Sequence, residues 1–137
     1  MIKPIQKDIF FLGKKALPAT KADIPVADDL LDTLRAHAHE CVGMAANMIG
    51  VCKSIIAFDR DGVYMEMFNP KIVSHFGEYE TEETCLSLTG ARKTKRYQMI
   101  TVRYQTRDAF KEKQEVFVGF TAQIIQHEID HVNGIII

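Results

Sequence analysis

The sequence predicts an α+β fold in which short, mostly antiparallel strands pack around a buried C-terminal helix, with one amphipathic helix near the N-terminus. Three observations lead there. An apolar stripe at helical spacing lies early in the chain, brief apolar runs punctuated by turn residues fill the middle, and the closing segment is apolar on more than one face. With 137 residues and no internal repeat, low-complexity tract or linker, residues 1–137 are read as a single domain.

The elements follow in order. Val26 to Cys41 reads as the first helix, with Leu30, Leu31, Leu34 and Ala38 on one face and Asp28 and Asp29 suited to the positive end of its dipole. Gly43 interrupts it, followed by the small apolar run Met44-Ala45-Ala46. Ser54 to Phe58 is a strand-like run, and Arg60-Asp61-Gly62 is a turn. Val63 to Phe68 follows and ends at Asn69-Pro70. Lys71 to Phe76, Met99 to Tyr104 and Glu115 to Phe117 are also expected to be extended, since Ile100, Val102 and Tyr104 alternate with more polar neighbours. Thr121 to Val132 is the last helix, with Ile124, Ile125, Ile129 and Val132 at helical spacing and Asn133-Gly134 as a left-handed stop.

Composition narrows the function. Seventeen basic and eighteen acidic residues leave a net charge of -1, which gives no electrostatic case for nucleic acid. The locally basic Arg92-Lys93-Thr94-Lys95-Arg96 reads as a solvated loop. The N-terminus lacks the apolar core of a secretory signal and no segment is long and apolar enough to span a membrane, so a cytoplasmic location is expected. Cys41, Cys52 and Cys85 read as thiols or metal ligands rather than a disulfide framework.

The chemical signal is His127-Glu128-Ile129-Asp130-His131. Histidines at i and i+4 lie one above the other on a helix, so both rings reach one metal ion. Glu128, next to the first histidine, is placed to act as general base and then general acid. A chance pattern on an exposed helix is the competing reading. Apolar neighbours disfavour it, because burying these polar groups without partners costs roughly several kcal/mol. A catalytic site needs a third protein ligand. The residues after His131 offer none, so it comes from upstream: His37, His39, His75, a cysteine or a carboxylate. His37 and His39 do not share a helix face, and Cys85, in Glu83-Thr84-Cys85-Leu86-Ser87 before a turn at Thr89-Gly90, is favoured among the rest.

These motifs resemble those of the peptide deformylases. The family's G-Φ-G-Φ-A-A-x-Q run corresponds to Cys41-Val42-Gly43-Met44-Ala45-Ala46-Asn47-Met48, its E-G-C-L-S to Glu83 through Ser87, and its Q-H-E-x-D-H to Gln126 through His131. The resemblance implies Cys85 as third ligand beside His127 and His131. It implies one divalent metal ion, Fe2+ in the cell, with Zn2+, Ni2+ or Co2+ in purified protein. The implied reaction is removal of formate from N-formyl-methionine of nascent peptides by metal-bound hydroxide, with Glu128 as general acid/base and the Leu86 backbone N–H at the oxyanion. By the same resemblance an N-formyl-methionyl peptide adds as a strand beside Val42 and Gly43, near Thr84, with Phe120, Gln123 and Ile124 around the methionine side chain.

Three departures accompany it. Met48 stands where the family has a glutamine that donates to the oxyanion, and a thioether cannot donate. Asn47 beside it has an amide but, on an extended segment, points the other way. Thr84 and Cys41 each replace a glycine. The sequence stops soon after Gly134, without the C-terminal helix that docks some bacterial members on the ribosome, and such docking is not expected of it. A weakly active or inactive binding protein for blocked N termini, or a hydrolase of another small N-acyl amide, are the alternatives.

Overall fold

The structure is a computed structural model that describes all residues 1–137. Five strands, β1 (Gly43–Ala45), β2 (Ile55–Arg60), β3 (Val63–Glu83), β4 (Arg92–Gln105) and β5 (Glu112–Val118), form one antiparallel sheet in the order β1-β2-β3-β4-β5. Three helices accompany it: α1 (Ile9–Leu12), α2 (Ile24–Ala36) and α3 (Gly119–Val132). The α+β class is as expected, and no helix is long and apolar enough to cross a membrane.

Strand length departs from the reading, because β3 and β4 are long. Asn69-Pro70 does not end a strand but sits in a β-bulge, where the register shifts between Phe68 and Lys71. Proline lacks an N–H for the ladder, so a bulge is the place where an interior strand tolerates it. Asn69 takes φ 52° there, and its side chain bonds the Ala19 backbone N–H and C=O and the Gln105 amide. Past Phe76, β3 runs on to Glu83 against the basic stretch of β4, with Glu80 opposite Lys95 and Glu82 opposite Lys93. Arg92 to Arg96 is therefore strand rather than solvated loop, and Arg96 is buried.

The helix expected over Val26 to Cys41 is α2, which starts at Ile24 and ends at Ala36, so His37 and His39 lie beyond it, and the short α1 before it was not expected. α2 buries Ala27, Leu30, Thr33 and Leu34 against β1 and β2. The last helix packs on β1, β2, β4 and β5 and buries nine of its residues, among them Ile124, Ile125, Ile129 and Val132. Such a helix cannot be solvated on its polar face, and its polar groups need partners from the sheet. Gln126 finds them on β4, donating to the Tyr97 carbonyl at 2.9 Å and accepting from the Tyr97 N–H at 2.8 Å. Gly134 ends the segment at φ 76°, where a Cβ would lie 2.6 Å from the Gly13 carbonyl oxygen.

Candidate active site

Two turns of α3 stack the imidazoles of His127 and His131, with their Nε2 atoms 3.0 Å apart. Cys85 approaches from the turn after β3, and its sulfur and one nitrogen of each ring lie within 4.8 Å of one another. Of the upstream candidates, only Cys85 joins the two histidines. His75 stacks on Tyr97 at 3.9 Å, and His37 bonds Glu40. One thiolate and two imidazoles are a donor set suited to a divalent ion of the iron-to-zinc series.

The long β3–β4 ribbon supplies what holds this cluster. His127 donates from Nδ1 to Glu83 Oε1 at 2.7 Å. Arg96 forks onto the same carboxylate, Nε to Oε2 at 2.9 Å and Nη2 to Oε1 at 2.6 Å, and reaches Asp130 Oδ2 with Nη1 at 2.7 Å. Gln123 adds a fourth donor to Glu83 at 3.0 Å. Burial alone would raise the Glu83 carboxyl, but the bonds from His127, Arg96 and Gln123 outweigh it and hold it down to about 2. Burial works against charge on His127, yet Cys85 and Glu83 win and raise it to about 10. His131, without an anionic partner, is pushed down to about 3 by burial and then by the charge on His127.

A cavity of about 330 Å³ opens over the cluster. Val42, Gly43, Met48, Thr84, Cys85, Leu86, Phe120, Gln123, Ile124, His127 and Glu128, all singled out in the sequence, line it; His131 lies behind, fully buried. Glu128 is 4% exposed, its Oε1 has no hydrogen-bond partner, and burial raises its carboxyl to about 7. That value suits a group that takes up and gives back a proton near neutral pH. Gly43 makes room for it, since a Cβ there would lie 2.9 Å from Glu128 Oε2 and 2.7 Å from Ile124 Cγ2. Cys41 also faces the cavity, its thiol donating to the Gly43 carbonyl at 2.8 Å and pushed up to about 12 by burial and then by Glu128.

One expectation changes at the first motif. Ala46 to Ile49 is a 3₁₀ turn rather than an extended segment, so Asn47 and Met48 are both buried. Asn47 donates to the His131 carbonyl at 2.8 Å and is turned from the cavity. Met48 Sδ takes the Ala45 N–H at 3.4 Å. Gln123, expected in the methionine pocket, lines the cavity but spends its amide on Glu83 and Tyr79. The sequence reading missed Glu83, Arg96 and Asn47. Alternation of charge with Tyr79, Thr81 and Thr94 across the two facing stretches was the available sign that they pair.

Two buried imidazoles and a thiol beside an elevated carboxyl, gathered at one cavity, define the class: a mononuclear metallohydrolase on an α+β scaffold. The sequence family described as polypeptide deformylase matches residues 2–137, and the chain belongs to it. A peptide deformylase of Clostridium beijerinckii is 60% identical over 137 residues, covering 100% of both chains. One from Thermoanaerobacter pseudethanolicus is 34% identical over 129 residues, 91% of this chain and 79% of that protein. Among solved structures, a class I type b peptide deformylase from Acinetobacter baumannii has a TM-score of 0.88 at 28% identity, covering 99% of this chain and 97% of its own. A peptide deformylase from Legionella pneumophila has a TM-score of 0.88 at 33% identity, covering 99% and 83%. The family's activity, metal-dependent removal of the formyl group from nascent peptides, is the function of this chain.

Proposed function

We propose that Cys85, His127 and His131 hold the divalent ion of this deformylase and that Glu128 moves the proton. The observation that carries this is the convergence of the three ligand atoms within 4.8 Å, two of their residues lining and His131 lying behind the cavity whose wall also holds the elevated Glu128 carboxyl. An ion held by these residues would supply Lewis acidity, for polarising a carbonyl and for lowering the pKa of water to about 7. Fe2+ is the ion in the cell, with Zn2+, Ni2+ or Co2+ taking its place in purified protein.

The chain's own groups do the rest. Glu128 accepts a proton from the attacking water at its unpartnered Oε1 and delivers it to the departing amine nitrogen of methionine. Val42 and Gly43, at the start of edge strand β1, pair with the peptide backbone of an N-formyl-methionyl substrate. Phe120 and Ile124 flank its side chain, with Gln123 as a wall held by Glu83. Thr84 narrows the approach of the peptide. The Leu86 N–H donates to the developing oxyanion. With Met48 a thioether and Asn47 committed to His131, the oxyanion lacks the family's side-chain amide, which lowers turnover by ~10²–10³. These commitments favour a slow enzyme as the second reading; tight binding of blocked N termini without turnover is its limit. Residues 1–137 form one domain, which works in the cytoplasm.

The test is formate release from a formyl-methionyl peptide by protein reconstituted anaerobically with Fe2+. Glu128→Gln is expected to keep its metal and lose ~10²–10⁴ in rate. Cys85→Ala is expected to lose the metal with the fold retained; unchanged metal content would remove Cys85 from the ligand set. Release of other acyl groups but not formate would point to another small N-acyl amide.

A further inference from the structure

The free side of β1 is where the proposed peptide strand adds, and the chain itself already occupies it. β1 is an edge strand that pairs with β2 alone, Gly43 opposite Phe58 and Ala45 opposite Ile56. The Val42 carbonyl accepts from the Asp59 N–H at 2.8 Å, so Val42 turns its carbonyl to β2. Successive residues of a strand turn their N–H and C=O to opposite sides, and those of Gly43 and Ala45 therefore face the open edge. Sulfur holds a group of each. The Cys41 thiol donates to the Gly43 carbonyl at 2.8 Å, and the Ala45 N–H goes to Met48 Sδ at 3.4 Å. Unpaired groups on a strand edge are a template for another strand, and these two contacts cover them.

The two caps differ in what can remove them. Ala45 and Met48 are fully buried, whereas Cys41 is half-buried and lines the cavity beside Val42 and Gly43. The same cavity wall carries Glu128 Oε1, the one buried carboxylate oxygen without a partner, so a ligand is received on this side. A cysteine side chain swings about a single torsion, and the thiol leaves the carbonyl without any backbone movement. A thiol is also a weak donor, and a peptide N–H offered to the same oxygen is a stronger one.

We propose that the Cys41 thiol is a displaceable cap on the peptide-binding edge, holding the Gly43 carbonyl in the free protein and ceding it to a backbone N–H of the incoming peptide. Each binding event gives up this bond, which lowers peptide affinity by ~2–5-fold, the worth of one weak hydrogen bond. The inference rests on the reading that the peptide adds as a strand beside Val42 and Gly43, and deepens it by naming the group that the peptide displaces.

The experiment measures KM for formate release by Fe2+-reconstituted protein and, without turnover, Kd of the deformylated product by calorimetry. The peptides are a formyl-methionyl tripeptide amide and analogues methylated at one backbone nitrogen at a time. Cys41→Ala removes the thiol and is expected to lower KM and Kd ~2–5-fold, with the effect in KM rather than kcat. Cys41→Ser puts a stronger donor on the same carbonyl and is expected to keep both at or above the wild-type values. Methylation of the nitrogen that meets Gly43 is expected to weaken binding to wild type, and ~2–5-fold more in Cys41→Ala, because only wild type regains its thiol bond. Unchanged or higher KM and Kd in Cys41→Ala would overturn the proposal. So would a Cys41→Ser protein that binds as tightly as Cys41→Ala, which would place the gain on size alone, or an equal methylation penalty in both proteins. If no methylated position weakens binding to wild type, the strand-addition reading itself fails, and the proposal with it. Should Cys41→Ala not fold, Cys41→Gly, which restores the residue of the family's motif, takes its place with the same expectations.

Discussion

Arg96→Met tests the link between the β-ribbon and the metal helix. Arg96 is 4% exposed and makes three charge-assisted bonds, two to Glu83 and one to Asp130, plus a 3.2 Å bond to the Lys95 carbonyl. Methionine fills much of the volume and removes every Arg96 donor, leaving the Glu83 carboxylate, 6% exposed in its side chain, with only His127 and Gln123 as partners. Breaking a buried pair from one side costs ~3–5 kcal/mol. Asp130, 23% exposed in its side chain, recovers water and adds little to that figure. For a chain of this length the loss corresponds to a fall of ~10–20 °C in Tm. The assay is urea denaturation of the chelator-treated protein, so that metal binding does not enter the difference. A second readout follows from geometry. Glu83 orients His127 through Nδ1, so the affinity of the variant for Zn2+ is expected to fall as well. Arg96→Lys retains the charge without the planar fork and is expected to lie between the two. A loss below ~1 kcal/mol in Arg96→Met would refute the reasoning, since it would mean that Glu83 is not held by this pair.

Three further outcomes are expected. Gly43→Ala puts a methyl group 2.9 Å from Glu128 Oε2 and 2.7 Å from Ile124 Cγ2. It should cut formate release by at least ~10-fold for a stability loss of ~1–3 kcal/mol, and full activity would show that Glu128 has room to spare. Met48→Gln restores a side-chain amide at the cavity and should raise turnover ~10–10³-fold with little change in metal content; an unchanged rate would assign the oxyanion wholly to backbone N–H groups. Tyr104, 2% exposed and bonded to Glu115, is raised to about 12 by burial first and that bond second. Because the folded value lies above the unfolded one, its contribution is complete below pH 10 and is lost as pH rises from 10 to 12. Urea midpoints across that window should drop more for wild type than for Tyr104→Phe, and parallel curves would contradict the assignment.

Much of the molecule was legible from local pattern. The helical spacing of Ile124, Ile125, Ile129 and Val132 marked α3, and placed His127 and His131 on one side of it, because a helix repeats every 3.6 residues whatever surrounds it. The three motifs marked the cavity wall, and each of the residues picked from them lies at or directly behind it. The misjudged parts were those whose meaning depends on a distant partner. Arg92 to Arg96 resembled a solvated basic loop because its acidic counterpart, Glu78 to Glu83, is paired only across the ribbon. Asn69-Pro70 resembled a strand end because the bulge that accommodates it is sustained by Ala19 and Gln105.

The sequence by itself determined the α+β class, the last helix, the donor types and the pair His127 and His131, since periodicity and side-chain chemistry are local properties. Folding decided the rest: that Cys85 is the thiol brought to them, that Arg96 and Glu83 stand behind His127, and that Asn47 turns from the cavity to His131. The physical reason is desolvation. A helix buried on nearly every face must draw partners for most of its polar groups from elsewhere in the chain, as Gln126 and His127 do from the packed sheet, and the Glu128 Oε1 left without one belongs to the site.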